Sequence, residues 1–240
     1  MEMKHRQQQL SLRCTNQGFT MIELMIAMVV SLLALAAIYS TFLAQHRSYQ
    51  VQNETADMQQ NIRAAMYYMQ REIRMAGNDP FNTDNFGFVS GTSTANANVI
   101  QFTEDIDDGA GGGPDGVING DDTIQYNLAD SDGDGVNDVL VRNGQIVAQN
   151  INAIDFVYLN AAGAPLNSGG GGVSLPLYSQ IRSVEITVVA RTDDPLLYGT
   201  TNNRTYQNQR NETFYTVPAP GDNFSRRRLT TLIHCRNLGL

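Results

Sequence analysis

Gly18-Phe19-Thr20-Met21-Ile22-Glu23 opens an otherwise apolar run that reaches Ala44, and the reading of this stretch decides the fold. From Met21 to Ala44 the only ionisable side chains are Glu23 and Tyr39. At roughly 1.5 Å per residue the run is long enough to cross a hydrocarbon core of about 30 Å. A helix apolar on every side is predicted there. Glu23 is the anomaly in it, because a carboxylate just inside a membrane-length segment costs several kcal/mol without a partner. Lys4, Arg6 and Arg13 precede the run. The positive-inside bias therefore places residues 1–18 in the cytoplasm and everything after Gln45 outside.

Past the apolar run the pattern changes without a break. Val51, Met58, Ile62, Ala65, Met66, Met69, Ile73 and Ala76 recur at helical spacings, the mark of one apolar stripe. Arg47, Asp57, Arg63 and Arg71 fall off that stripe. No proline occurs between Phe19 and Asp79, and Gly77-Asn78-Asp79-Pro80 supplies stop chemistry for a helix. The expectation is one helix of roughly 58 residues, about 85 Å long. Its second half should lie against a globular domain.

Two plainer explanations compete. A positive segment, an apolar core and Ala34-Leu35-Ala36 suit a secretory signal cleaved after Ala36. Against it stand Glu23 inside the apolar core, the length of the run, and a helical pattern that continues past the cut. A signal anchor with no processing leaves Glu23 unexplained.

After Pro80 the periodicity becomes strand-like. Residues 99–103, 123–128, 139–142, 145–148, 154–159, 182–191, 214–217 and 229–235 are short runs rich in β-branched and aromatic residues. Asn143-Gly144 is a type I′ hairpin signal. Val184, Ile186 and Val188 alternate with Glu185 and Thr187, which predicts an antiparallel sheet with one face covered, the amphipathic half-helix being its cover. The glycine run Ser168–Gly172 reads as a flexible loop. The predicted class is α+β: a long N-terminal helix packed on an antiparallel β-sheet head. Four segments follow: a leader at 1–18, a transmembrane half-helix at 19–44, an amphipathic half-helix at 45–77 and a β-rich head at 78–240.

The 240 residues carry a net charge of −8. Setting aside the three basic residues and one acidic residue of positions 1–18 leaves 13 basic and 23 acidic, a net −10. That balance disfavours nucleic acid as a partner. Of the two cysteines, Cys14 lies in the leader, so Cys235 has no intrachain partner after processing.

The octet Gly18-Phe19-Thr20-Met21-Ile22-Glu23-Leu24-Met25 resembles the cleavage signal of type IV pilins and type II secretion pseudopilins. The resemblance implies the pilin fold, cutting after Gly18 by a prepilin peptidase, and N-methylation of Phe19 as the new terminus. It also implies that Glu23 pairs with the terminal amine of Phe19 on a neighbouring subunit. Physical chemistry agrees, since an α-amino group with an ordinary pKa of about 8 is a cation and a buried carboxylate gains most beside one. Such a pair would set the register between subunits, as polar residues do in coiled coils.

Arg71-Glu72-Ile73-Arg74-Met75-Ala76-Gly77 and Cys235-Arg236-Asn237-Leu238-Gly239 look like segments of minor pilins. Many major pilins have a proline in the apolar half-helix and a C-terminal disulfide, and this chain has neither. The implied function is a minor pilin that takes part in filament assembly and priming at or near the tip. Its implied partners are other minor and major pilins, the peptidase and the inner-membrane assembly machinery. The implied location is the bacterial inner membrane, head in the periplasm, and then the extracellular pilus. A type II secretion pseudopilin and a calcium-dependent adhesive tip module are the alternatives.

Asp130-Ser131-Asp132-Gly133-Asp134-Gly135-Val136-Asn137-Asp138 matches the front of a calcium loop. Asp130, Asp132 and Asp134 stand at ligand positions one, three and five, Gly135 at six and Asp138 at nine. Val141 stands where the EF-hand glutamate would be. No cofactor is required by this reading, and Ca²⁺ is the one candidate ligand. The second acidic loop, 105–122, contains Asp107, Asp108, Asp115, Asp121 and Asp122 but no ligand spacing. No catalytic motif occurs: G-x-S-x-G, H-E-x-x-H and G-x-x-x-x-G-K-[ST] are all missing. His234 and Cys235 are neighbours on a strand and so point to opposite faces. Arg226-Arg227-Arg228 reads as a solvated basic turn.

Overall fold

The computed structural model describes residues 18–89, 93–106, 113–167, 170–196 and 203–239. Residues 1–17, with Cys14 of the expected leader, and the loop residues Asp107, Asp108, Ser168 and Gly169 lie outside them. The chain divides into two compact units, Met1–Tyr49 and Gln50–Leu240.

One helix, α1 (Met21–Met75), contributes to both units. In the first unit its apolar side chains from Met21 to Phe42 are exposed around the whole circumference. In the second, Met58, Ile62, Ala65, Met66, Met69 and Ile73 are buried in the core. Val51 departs from the expected stripe, since it is exposed. It lies a full two turns above Met58, where the covered face begins.

The strands follow in chain order: β1 (Thr94–Ala95), β2 (Val99–Thr103), β3 (Thr123–Ala129), β4 (Val139–Arg142), β5 (Gln145–Gln149), β6 (Ile151–Leu159), β7 (Ser183–Arg191), β8 (Thr205–Gln207), β9 (Thr213–Thr216) and β10 (Arg226–His234). β1 to β5 form one antiparallel sheet in sequential order. A second antiparallel sheet has the order β10-β7-β6, and β8 pairs with β9 as a separate hairpin. Asn143 and Gly144 turn β4 into β5 with φ of 47° and 79°, the double positive φ of a type I′ turn.

Register explains the core. Ile154, Phe156 and Tyr158 of β6 stand opposite Val188, Ile186 and Val184 of β7. All six are buried in the cluster that also holds the helix stripe and Ile100, Phe102, Ile124, Tyr126 and Leu140 of the first sheet. Burying each large apolar side chain contributes about 1.5–3 kcal/mol.

The expectation of one solvated sheet face is corrected. Glu185 is 5% exposed and Thr187 0%, because the β8–β9 hairpin lies over that face. Its Asn208 donates from Nδ2 to Asp155 Oδ2 at 3.0 Å, and Asp155 stands opposite Thr187. The expected run 214–217 falls on β9, but β8, only three residues long, was too short for alternation to mark it. The glycine run is also less free than expected, since Asn167 Nδ2 donates to Gly171 O and Val173 N to Ala95 O.

Two distant segments meet where α1 ends. Gly77 has φ +77°, and a Cβ on it would come within 2.5 Å of Leu238 Cδ2. Arg236 N donates to Arg74 O at 3.1 Å and Asn237 Nδ2 to Met75 O at 3.1 Å. The chain's last described residues thus satisfy carbonyls that a helix C-terminus leaves open.

Candidate functional site

The N-terminal site is built by the start of α1. Thr20 N donates to Glu23 Oε2 at 2.9 Å, Thr20 Oγ1 donates to the same oxygen at 2.9 Å, and Glu23 N donates to Thr20 Oγ1 at 3.3 Å. This is a reciprocal capping box, with Thr20 as N-cap and Glu23 three residues on. The anomalous acid therefore has a local partner. Both bonds to the carboxylate fall on Oε2, and among the described residues Oε1 has no donor. Gly18 has no atom within 4 Å of where its Cβ would stand, and Phe19 is 90% exposed. Among the described residues, nothing covers the Gly18–Phe19 bond. Sequence reading missed the capping box, whose signal is Thr20-x-x-Glu23.

The acidic loop joins β3 to β4. Asp130 Oδ1 accepts from Gly133 N at 2.7 Å and its Oδ2 from Gly135 N at 2.8 Å. These backbone donors hold its carboxyl below the ordinary carboxylate range. Asp132 Oδ1 accepts from Asp134 N, and Asp134 Oδ1 from Val136 N. One oxygen from each of Asp130, Asp132 and Asp134 lies within 4.8 Å of the others. Asp138 does not join them, because it accepts from Ser131 N and Ser131 Oγ. Val141 is buried in β4. The donor set is therefore three carboxylate oxygens at one exposed loop.

In the second acidic loop, the described residues are held by two of its carboxylates. Asp105, 1% exposed, accepts from Asp115 N and Gly116 N. Asp122, fully buried, accepts from Ile106 N and Asn119 N. Both act as loop anchors, and among the described residues neither belongs to a group of converging carboxylates.

A polar cluster missed by sequence reading lies between helix and first sheet. Glu72, within the apolar stripe, accepts from Arg142 Nε at 2.9 and 2.8 Å and from the Tyr126 hydroxyl. Glu104 sits close by, and burial, reinforced by the Glu72 charge, pushes its carboxyl up to about 7. An acid at a stripe position between Met69 and Ile73 was the available signal. His234 is exposed and Cys235 buried, as their alternation required. Burial pushes the Cys235 thiol up to about 12, which leaves it a poor nucleophile.

Comparison with known proteins bears on the N-terminal site. A protein-family profile described as "Prokaryotic N-terminal methylation motif" matches residues 13–39. No curated protein matches the chain. Among solved structures, the type IV-like pilin TTHA1219 from Thermus thermophilus aligns with a TM-score of 0.40 at 12% identity, over 79% of this chain and 98% of that one. At that score the fold rests on the helix and strands of this chain itself. The chain thus carries a prokaryotic N-terminal methylation motif over residues 13–39. Its apolar helix and that motif together fit anchoring in a membrane.

Proposed function

We propose that this chain is a minor type IV pilin of PilW type, cut between Gly18 and Phe19 by a prepilin peptidase and N-methylated on Phe19. The observation that carries the reading is the placement of Glu23. Its Oε2 caps the helix through Thr20, and its Oε1 remains for the terminal amine of Phe19 on a neighbouring subunit. Cutting after Gly18 leaves the Thr20 amide in place, so cap and pairing coexist. The exposed apolar half of α1 supplies the packing surface, Glu23 the register, and the head the contacts with other minor and major pilins. The PilW assignment and a place near the tip are supported by the likeness of Arg71–Gly77 and Cys235–Gly239 to minor pilins, two segments that meet at the helix end. Mass spectrometry of the mature N-terminus in cells tests the reading. N-methylated Phe19 is expected, and a chain beginning at Ala37 or still at Met1 overturns it.

A second reading belongs to the head. The convergence of Asp130, Asp132 and Asp134 within 4.8 Å favours uptake of a hard cation such as Ca²⁺, with backbone carbonyls and water completing the six to eight ligands it needs. Without Asp138 or a carboxylate at Val141, the site is a weak one.

A further inference from the structure

We propose that the free edge of β10 takes one added strand from the head of a different pilin subunit, an extended segment that carries an acidic side chain beside Arg227. The inference rests on the assembly reading above and names the contact the head would make in it. Thr192 N donates to Ser225 O at 2.9 Å and Cys235 N to Arg182 O at 3.0 Å, one residue beyond each end of β10. Between these two bonds β10 pairs with β7 without a register shift. Main-chain groups of an antiparallel strand face a given neighbour at every second residue, so the odd-numbered residues of β10 bond to β7. The N–H and C=O of Arg226, Arg228, Thr230, Leu232 and His234 therefore point away from the sheet. Among the described residues none of these main-chain groups has a hydrogen-bond partner.

The two edges of this sheet, β10 and β6, differ. The β6 edge is met by its own chain: Phe156 N donates to Ala97 O, Tyr158 N to Asn167 Oδ1 and Leu166 N to Tyr158 O. A sheet open along one edge takes one strand and passes none on, which accords with a minor subunit and not with a repeating one. Donors and acceptors that alternate along nine residues are met in full by an extended backbone.

Side chains beside the edge say what that strand carries. Gln70 Nε2 donates to Thr231 Oγ1 at 2.9 Å, so α1 lies over the face of β10 that bears Thr231, Leu229 and Arg227. Tyr67 and Arg63 stand one and two turns before Gln70 on the same side of the helix. Tyr67, Arg63, Leu229 and Arg227 are all exposed, and Arg227 makes no hydrogen bond or ion pair among the described residues. An added strand would cover Tyr67 and Leu229 with an apolar side chain and set a carboxylate, the natural partner of a guanidinium, at the arginine end. On the opposite face it would cover Leu232, which is 44% exposed. A second copy of this edge does not have that chemistry. Its sequence, Arg-Arg-Arg-Leu-Thr-Thr-Leu-Ile-His, contains no acid, and laid parallel it would set arginine against arginine.

The test is photo-crosslinking in filament-forming cells, with p-benzoylphenylalanine in place of Leu232 of the full-length chain. A product with another pilin is expected, and peptide mass spectrometry should place the joined residue in an extended segment that bears an acid. Thr230→Pro removes an outward N–H and no bond to β7, so it should lower the product several-fold. Thr230→Ala keeps that N–H and should leave the product unchanged. Thermal unfolding in micelles checks that both chains fold; Arg227→Glu, a surface change, should also lower the product several-fold and carries the test alone if the proline variant does not fold. Filaments that contain the chain without any product, a product between two copies of this chain, or a yield that neither Thr230→Pro nor Arg227→Glu lowers each overturn the contact and leave the assembly reading intact. Absence of the chain from filaments sinks both.

Discussion

Arg142 holds Glu72 by both carboxylate oxygens, its Nε lying 2.9 Å from Oε1 and 2.8 Å from Oε2. Glu72 belongs to α1 and Arg142 to β4, so the pair ties the last turns of the helix to the first sheet at a point where every neighbouring stripe residue is apolar. The Tyr126 hydroxyl adds a third donor. The pair is largely buried, with the side chain of Glu72 8% exposed and that of Arg142 28%.

Removing Arg142 alone should therefore cost more than removing the pair. Arg142→Met leaves the buried Glu72 carboxylate with the Tyr126 hydroxyl and only a 3.7 Å approach from exposed Arg71, and breaking such a buried pair costs about 3 kcal/mol or more. Adding Glu72→Gln removes the stranded charge and keeps an acceptor for Tyr126, so the double variant should recover a good part of the loss. Denaturant unfolding of the three chains in micelles measures this. A double variant less stable than Arg142→Met would contradict the account.

Glu104 predicts a pH dependence with a definite sign. Its carboxyl is raised in the folded state to about 7 from an ordinary 4.5, so between those values the folded state binds the extra proton. Stability from this group then falls as pH rises from about 4.5 to 7. Asp155 and Glu185 are raised as well and act in the same sense, whereas Asp222 is lowered by Arg226 and acts in the opposite one. The variant Glu104→Gln isolates the one group. It should unfold near the wild-type temperature at pH 4.5 and several degrees higher at pH 7.5, a gain on the order of 2 kcal/mol. Equal melting shifts at both pH values would rule out titration of Glu104 as the cause.

Gly77 is constrained twice, by φ +77° and by Leu238 Cδ2 at 2.5 Å from its would-be Cβ. Gly77→Ala should lose about 2 kcal/mol, roughly half from the left-handed backbone and half from displacing Leu238. Combining it with Leu238→Ala should relieve the steric part, so the two changes are not additive. Additive losses in thermal unfolding would mean that the chain end does not press on the helix terminus.

What was legible in the sequence follows from where its information lies. The long helix was readable because one apolar stripe and one Gly-Asn-Asp-Pro stop leave little freedom, and Met21–Met75 falls within a few residues of the expected ends. Residues 99–103 and 139–142 matched β2 and β4 because alternation and the Asn143-Gly144 turn act locally. The buried second face of β7 was not readable, since Glu185 and Thr187 look solvent-facing unless the hairpin above them is known. Glu72 was hidden for the same reason: its partners Tyr126 and Arg142 are 54 and 70 residues away. At the N-terminal site the reverse held. The resemblance implies the pairing role of Glu23, and the nearer fact, its bond to Thr20, was written three residues upstream.

The acidic loop gives a prediction about metal. With three carboxylates in reach and no bidentate ligand at Val141, calcium should bind in the range of about 0.1–1 mM seen for extracellular modules. Isothermal titration of the full-length chain in micelles should show this heat, and Asp132→Ala should abolish it, while Asp115→Ala should leave it unchanged because the 105–122 loop is anchored by Asp105 and Asp122. Undiminished binding by Asp132→Ala would move the site elsewhere.

Thr20 and Glu23 allow the capping and pairing roles of the acid to be separated. Thr20→Ala removes the N-cap oxygen and should weaken the first turn by about 1 kcal/mol, yet it leaves the carboxylate charge in place. Glu23→Gln does the opposite: glutamine also serves the third position of a capping box, so the helix start survives while the anion is lost. If Glu23 sets register by pairing with the amine of a neighbouring Phe19, Glu23→Gln should be cleaved and methylated normally but enter filaments poorly. Thr20→Ala should enter them almost as well as the wild type. Sheared filaments probed for each variant, with the mature N-terminus checked by mass spectrometry, read both effects at once. If Thr20→Ala is the variant excluded and Glu23→Gln incorporates normally, the carboxylate is there to start the helix, and the partner amine has no part in assembly.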